Sequence, residues 1–179
     1  MAASPHEHEA ALSVISIESY REVLGRYATG VSVITTVQNG MDHAMTANSF
    51  TSVSLDPPLV LVCVEHDTRF HESVQQMRLW GVSILSVAGR PRARWFASSS
   101  RPLEGQFASV PHRRGALTGA ALLTESVATL ECETYAMYEA GDHDIVVGRV
   151  LDLAVDEVHT DPLLYWHRGY HELGPQSGH

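Results

Sequence analysis

The residues best suited to chemistry form a run of small hydroxyl and amide side chains in the first third of the chain. The run reads T-A-N-S-F-T-S-V-S over residues 46–54. Its side chains, and backbone amides that small residues leave accessible, can bond to the polar edge of a planar heterocycle and to a hydroxylated chain attached to it. A solvent-exposed strand with alternating polar residues would have the same composition, so both interpretations stand at this point.

Six of the 12 basic residues are concentrated in 25 residues of an acidic chain. Guanidinium groups bind phosphates well, so the group indicates where the phosphates of a nucleotide would lie. For any single one of these arginines, a solvated helix face or a flexible loop is the more ordinary explanation. The six are Arg90, Arg92, Arg94, Arg101, Arg113 and Arg114.

Two further groups lie near predicted turns in the C-terminal half. His143 stands between Asp142 and Asp144, and neighbouring carboxylates favour a protonated imidazole that can donate a proton or position a second ring. An exposed turn histidine without a role is the alternative. The segment Y-W-H-R-G-Y over residues 165–170 combines aromatic rings with Arg168, which can clamp a nucleotide or simply form a packed C-terminal strand.

Composition excludes several classes of protein. The length of 179 residues suits one domain, and the net charge of -9 makes nucleic acid an unfavourable partner. All 12 basic residues are arginine, which excludes a Schiff-base lysine and the lysine-containing phosphate loop. No apolar run reaches the roughly 20 residues of a membrane span, and the N-terminus lacks signal-peptide features. We therefore expect no membrane partner and a cytoplasmic location.

The cysteine and histidine content predicts no metal site. Cys63 and Cys132 lie in apolar segments far apart, which is typical of buried free thiols. The 11 histidines are scattered, and the pair His6 and His8 falls in residues 1–15, which we expect to be a flexible tail. Residues 16–174 are expected to form one domain.

The hydrophobic pattern predicts many strands and few helices. Ser19 and Glu22 indicate a capping box for a first helix that ends at Gly30, and Asn39-Gly40 indicates a hairpin turn. A second hairpin turn is expected at residues 140–142, and the apolar strand 59–64 is expected to be buried on both faces. The predicted strands are 31–37, 43–51, 59–64, 80–87, 121–138, 144–158 and 163–166, and further short helices are predicted over 68–78 and from Pro91 through Phe96.

The order of these elements favours a mainly β fold. The strands do not alternate with helices, and no G-x-G-x-x-G motif is present, so a Rossmann sheet is disfavoured. An antiparallel sheet removes its exposed edges by closing on itself, and a barrel is therefore expected.

The succession of motifs resembles the short-chain flavin reductase family, the reductase components of two-component flavin-dependent monooxygenases. The resemblance covers residues 19–173 and rests on Y-R-E-V-L-G-R-Y-A-T-G-V-S-V-I-T-T, M-T-A-N-S-F-T-S-V-S-L-D-P-P-L-V-L-V-C-V, G-V-S-I-L-S, G-D-H and P-L-L-Y-W-H-R-G-Y. Two departures stand out. Ala44 replaces a common glycine before M-T, and W-G-V-S at residues 80–83 replaces a common F-A-V-N.

The resemblance implies a split β-barrel with a few short helices, usually a homodimer with flavin near the dimer interface. It implies that NADH or NADPH reduces FMN or FAD, which a partner monooxygenase then uses. An oxidase with bound FMN and a non-catalytic flavin-binding module remain alternatives on the same barrel. His143 would face the nicotinamide as the catalytic residue. The implied flavin-binding residues are Thr46, Ala47, Asn48, Ser49, Ser52, Val53, Ser54, Ser86, Arg92, Phe96, Arg168 and Tyr170.

Overall fold

The computed structural model describes residues 15–158 and 161–174, so almost all of the predicted tail lies outside the described residues. Its helices are α1 (Ile17–Leu24), α2 (Arg69–Gln76) and α3 (Arg90–Ala97), with a 3₁₀ turn at Val87–Gly89. The prediction of a mainly β fold with short helices is confirmed. The strands are β1 (Thr29–Gly30), β2 (Ser32–Gln38), β3 (Met41–Ala47), β4 (Thr51–Leu55), β5 (Pro58–Glu65), β6 (Leu79–Leu85), β7 (His112–Arg114), β8 (Ala121–Leu123), β9 (Ser126–Ala140), β10 (His143–Val155), β11 (Leu164–Trp166) and β12 (Gly169–His171).

Seven of these strands form one sheet in the order β3-β2-β6-β9-β10-β5-β4, and every neighbouring pair is antiparallel. Smaller sheets pair β1, β11 and β12, and β7 with β8. Within the described residues, no helix is long and apolar enough to cross a membrane.

The hairpin between β2 and β3 confirms the prediction from Asn39-Gly40. Asn39 has a φ of 52° and Gly40 a φ of 76°, and two consecutive positive φ values are what a type I′ turn requires. The predicted turn between β9 and β10 also forms, with Gly141 at a φ of 72°. Local turn chemistry therefore sets the register of both hairpins.

The sheet curls because its two outer strands are joined by only three residues. β3 and β4 lie at opposite edges, and a flat sheet of seven strands would separate them by about 29 Å. Residues 48–50 connect the two strands, and the four peptide steps involved span at most about 14 Å. The edges must therefore approach each other, and since no pairing joins β3 to β4 within the described residues, the barrel is split along this line.

Three local predictions are wrong. The strand expected over 43–51 breaks at residues 48–50, where the chain passes from one sheet edge to the other. The first helix begins earlier than the capping box suggested, because Ser16 is its N-cap and accepts the Ser19 N–H at 3.1 Å. That helix ends at Gly25, and Gly30 pairs with Leu164 instead.

The strand β5 also differs from its prediction. Val60, Val62 and Val64 are buried, whereas the alternate residues Leu61 and Cys63 are half-buried. The pattern is that of a strand with one face in the core and one face at a cavity or the surface, not of a strand buried on both faces.

Two groups of buried apolar residues fill the interior on either side of the curled sheet. One is built around Phe96, Leu85 and Leu163, and the other around Trp80, whose indole is fully buried. Trp80 Nε1 donates to Thr134 Oγ1 at 3.2 Å. A Cβ at Gly148 would lie 2.2 Å from Trp80 Cζ2, so the ring fits only because residue 148 has no side chain.

Candidate active site

A cavity of about 450 Å³ opens where the two edges of the sheet meet. This volume falls within the range of small-molecule and cofactor sites. One wall is the end of β3 with the start of the link to β4, and the opposite wall is the end of β5 with the turn into α2. The segment after α3 and the start of β10 complete the lining. The cavity residues are Ala44, Met45, Thr46, Ala47, Asn48, Ser49, Cys63, Glu65, Asp67, Thr68, Arg69, Phe70, Phe96, Ala97, Ser99, Arg101 and His143.

The predicted run over residues 46–49 supplies one wall of this cavity. Its two hydroxyls hold the wall together: Thr46 Oγ1 donates to the Ala93 carbonyl at 2.7 Å, and Ser49 Oγ accepts the Cys63 N–H at 3.0 Å. The carboxamide of Asn48 is exposed and has no hydrogen-bond partner among the described residues. Asn48 is therefore the side chain of this wall that is free to bond to a ligand.

Arg101 joins the segment after α3 to the strand β3. Its Nη1 donates to the carbonyls of Phe96 at 2.9 Å and Ser98 at 2.8 Å, and its Nη2 donates to the Ala44 carbonyl on β3. Burial, and to a smaller extent the charge of Arg69, lower the pKa of Arg101. Most of its donors are used within the chain, so Arg101 contributes charge to the cavity more than free hydrogen bonds.

Arg69 is the cavity cation that keeps most of its guanidinium N–H donors unbonded among the described residues. Its Nη2 bonds to the carbonyls of Ser99 at 3.3 Å and Arg101 at 3.0 Å. No carboxylate pairs with it within the described residues. Two guanidinium groups at one end of the cavity favour an anionic part of a ligand there.

His143 is the first residue of β10 and lies opposite Glu65 of β5 in the sheet register. Its side chain is 40% exposed, and its Nδ1 is 2.6 Å from Asp142 Oδ1. This hydrogen bond lowers the pKa of the Asp142 carboxyl. The other predicted carboxylate, Asp144, instead contacts two histidines, His66 and His71. His143 thus has one carboxylate partner, at Nδ1. Its Nε2 has no hydrogen bond among the described residues.

The structure brings together six of the predicted site residues: Thr46, Ala47, Asn48, Ser49, Phe96 and His143. Tyr170 lies close by, in a smaller cavity that shares Thr46 and Asn48 with the main one. Burial is the main cause of a raised pKa for the Tyr170 hydroxyl, and its ring contacts that of Tyr165 at 5.5 Å between centroids.

The other six predicted residues lie outside both of these cavities. Ser52, Val53 and Ser54 occupy the edge strand β4, where the first two are exposed. Ser86 is buried, and its Oγ donates to the Glu125 carbonyl at 2.9 Å. Arg92 pairs with the Glu125 carboxylate at 2.8 Å, and Arg168 lies in a turn at a φ of 62° beside α1.

The predicted arginine group is dispersed in the fold. Arg113 donates to Thr129 Oγ1 at 2.9 Å, and Arg114 binds both oxygens of Asp42. Of the six arginines, Arg101 alone is among the residues described around the main cavity. Sequence reasoning missed Arg69, because a single arginine at the start of a predicted helix gives no signal of its own.

An antiparallel split barrel with a cofactor-sized cavity at its seam defines the class of this protein. The family described as a flavin reductase like domain matches residues 24–174. The NADH-dependent FAD reductase of Streptomyces globisporus is 45% identical over 132 residues, which are 73% of this chain and 72% of that relative. The chain belongs to the flavin reductase family, and it is an oxidoreductase of that family.

Comparison with solved structures leads to the same family. The chain is similar to BorF, the flavin reductase component of a bacterial two-component tryptophan halogenase, with a TM-score of 0.84 and 41% identity over 90% of this chain and 100% of BorF. It is also similar to the NADH:FAD oxidoreductase SgcE6 of Streptomyces globisporus C-1027 in complex with NAD and FAD fragments. That likeness has a TM-score of 0.85 and 33% identity over 99% of each chain. The resemblance seen in the sequence is confirmed.

Proposed function

We propose that this protein oxidises NADH, reduces FAD or FMN, and supplies the reduced flavin to a separate flavin-dependent oxygenase or halogenase. The observation that carries the proposal is the cavity at the barrel seam, with an open amide on one wall, cations at one end and His143 at its edge. The named activities of the relatives support the same chemistry.

The cavity residues fit a flavin. A flavin has a planar ring with a polar edge and a hydroxylated chain that ends in phosphate. Small side chains at Ala44 and Ala47 leave room near the backbone, and the free carboxamide of Asn48 can bond to a polar ring edge. Arg69 and Arg101 can balance phosphate charge. When bound, the flavin accepts a hydride from the nicotinamide and carries two electrons onward.

The chain's own residues would position the reactants. The wall at residues 46–49 would hold the flavin ring in place, and a nicotinamide entering the same cavity would then react with it in an effectively unimolecular step. His143 lies at the edge of that cavity. Asp142 fixes its Nδ1, which presents the other ring nitrogen to a ligand or a proton acceptor.

A second copy of the chain would cover a large apolar surface. No residue of α1 is buried, although Ile17 is 71% exposed and Val23 is 68% exposed. On the sheet, Leu55 of β4 is 96% exposed and Val155 of β10 is 75% exposed. Such a surface is unusual for a monomer, and symmetric pairing is the commonest way to bury it. We propose a homodimer, in which Ser52, Val53 and Ser54 of β4 meet flavin near the interface.

The remaining predicted residues are bonded elsewhere in the chain or lie apart from the main cavity. Ser86 and Arg92 are already bonded to Glu125, so Arg69 and Arg101 are better placed to meet phosphate. Arg168 and Tyr170 would border the flavin site only from its margin. Cys63 and Cys132 are unpaired, which is compatible with the reducing cytoplasm as the proposed location.

The experiment is a matrix of steady-state rates with FMN and FAD against NADH and NADPH. We expect NADH oxidation to require added flavin, and free flavin to be consumed as a substrate. Light scattering at micromolar concentration should give twice the chain mass. An enzyme that oxidises NADH at full rate without added flavin would be an oxidase with bound flavin, and flavin binding without turnover would make the protein a binding module.

A further inference from the structure

Two histidines and an aspartate meet beside the cavity without taking part in its lining. His66 Nε2 is 3.2 Å from Asp144 Oδ1, and His71 Nε2 is 2.8 Å from Asp144 Oδ2. The three ligand atoms lie within 4.8 Å of one another. Asp144 is buried, and the side chains of His71 and His66 are 12% and 33% exposed.

Three separate elements bring these side chains together. Asp144 is on β10, His71 is in the first turn of α2, and His66 is in the turn that follows β5. The turn is fixed because the His66 N–H donates to the Asp142 carbonyl at 3.0 Å, and α2 is fixed because Thr68 caps its N-terminus. The cluster therefore rests on paired strands and a capped helix, which hold the three groups in one arrangement.

We propose that His66, His71 and Asp144 bind a divalent transition-metal ion of the Zn²⁺ type. Imidazole nitrogen and carboxylate oxygen are ordinary zinc ligands, and at bonds of 2.0–2.1 Å tetrahedral ligand atoms stand about 3.3 Å apart. The separation of 3.2 Å between His66 Nε2 and Asp144 Oδ1 is close to that value, and the separation of 2.8 Å between His71 Nε2 and Asp144 Oδ2 would widen by about 0.5 Å when the ion enters. Both imidazoles already present Nε2 to the carboxylate, so small side-chain rotations would admit an ion in place of the N–H protons.

The surroundings favour a cation. Four further carboxylates lie within two residues of the ligands along the chain, and they are Glu65, Asp67, Glu72 and Asp142. This excess of negative charge raises the local concentration of divalent ions.

Metal binding would act on the cavity through its neighbours in the chain. Thr68, Arg69 and Phe70 of the cavity lie between His66 and His71, and His143 precedes Asp144. An ion that joins α2 to β10 would stiffen this wall. The proposal does not depend on flavin reduction, because binding is measured directly.

The test uses the full chain with His6→Ala and His8→Ala, which removes the histidine pair outside the described residues. After treatment with a chelator, Zn²⁺ is titrated by calorimetry, and Co²⁺ is titrated by visible absorption, whose intensity reports tetrahedral coordination. We expect one ion per chain with micromolar affinity. His71→Ala, His66→Ala and Asp144→Asn should each weaken binding by at least about tenfold, whereas the control His171→Ala, an exposed histidine on β12, should not.

Two results would overturn the proposal. One is the absence of saturable binding when Zn²⁺ is added to a 100-fold excess over the protein. The other is binding that Asp144→Asn and His66→Ala both leave unchanged, which would reduce the cluster to a hydrogen-bonded contact between elements. If His71→Ala does not fold by circular dichroism, these two variants decide the question.

Discussion

Replacing Glu131 by glutamine should destabilise the protein strongly at neutral pH. Glu131 is on β9 and only 2% exposed, and its carboxylate accepts four hydrogen bonds. Three come from backbone N–H groups, at 2.9 Å from Ala116, 2.9 Å from Leu117 and 2.7 Å from Thr118, and the fourth comes from the Thr118 hydroxyl at 2.7 Å. The carboxylate thus organises the loop before β8.

The size of the effect follows from these contacts. A bond to a charged acceptor contributes about 1.5–3 kcal/mol and one to a neutral acceptor about 0.5–1.5 kcal/mol. In Glu131→Gln the single amide oxygen keeps some bonds in weakened form, and the NH₂ group faces a donor. Since the four bonds share one acceptor group and are not additive, we expect a loss of about 3 kcal/mol. For a chain of this size that lowers Tm by roughly 6–12 °C.

The effect should fade in acid. Burial alone would raise the pKa of Glu131, but the hydrogen bonds from Thr118, Leu117 and Ala116 outweigh burial and lower it. A carboxyl with a lower pKa in the folded state contributes stability that is complete above its unfolded pKa of about 4.3. That contribution is lost as the pH falls through the folded value. The difference between wild type and Glu131→Gln should therefore shrink below pH 4.

The assay is urea unfolding at pH 7 and at pH 3.5, at one protein concentration so that dimerisation does not bias the comparison. The control is Glu133→Gln, two residues along the same strand. Glu133 contacts Arg78 at 3.4 Å with both side chains exposed, a pair that contributes less than about 1 kcal/mol. The reasoning is refuted if the two variants lose equal stability at pH 7.

Three further predictions concern the cavity and the core. His143→Ala should lower the rate of flavin reduction by about 10²-fold and leave flavin affinity nearly unchanged, measured by stopped-flow absorption and by flavin fluorescence; equal losses in both would make the residue structural. Arg69→Ala should raise the KM for FMN by about tenfold but leave that for riboflavin, which has no phosphate, unchanged in steady-state assays. Gly148→Ala should cost about 1–3 kcal/mol in thermal unfolding because its Cβ meets Trp80, whereas Gly30→Ala, which has open space around it, should be nearly neutral.

The sequence was informative wherever structure depends on neighbouring residues. Asn39 and Gly40 determine their turn by their own φ preferences, so the hairpin was predictable. Ser16 and Ser19 are both acceptable N-caps, and pattern alone favoured the wrong one. The break at residues 48–50 was not predictable from local preference, because it arises from closing a seven-stranded sheet.

The candidate site was predictable only where its residues are neighbours in sequence. The wall at residues 46–49 is continuous in sequence, and the resemblance of this run to the family's motif predicted that it binds a ligand. Arg69 and the group of His66, His71 and Asp144 come together only through β5, α2 and β10. The arginine group was misleading because its members are close in sequence but do not form one site. Arg92, Arg113 and Arg114 each bond to a different acceptor within the chain.

The short link between β3 and β4 has a consequence for how the protein folds during synthesis. β2 and β3 can pair as soon as they emerge, and so can β4 and β5. However, β5 joins the rest of the sheet only through β10, about 80 residues later. Until β10 has left the ribosome, the link at residues 48–50 joins two hairpins whose strands are not paired with each other. The cavity is thus completed late, through contacts of long sequence separation that slow folding, and a cofactor can assist only the final stage.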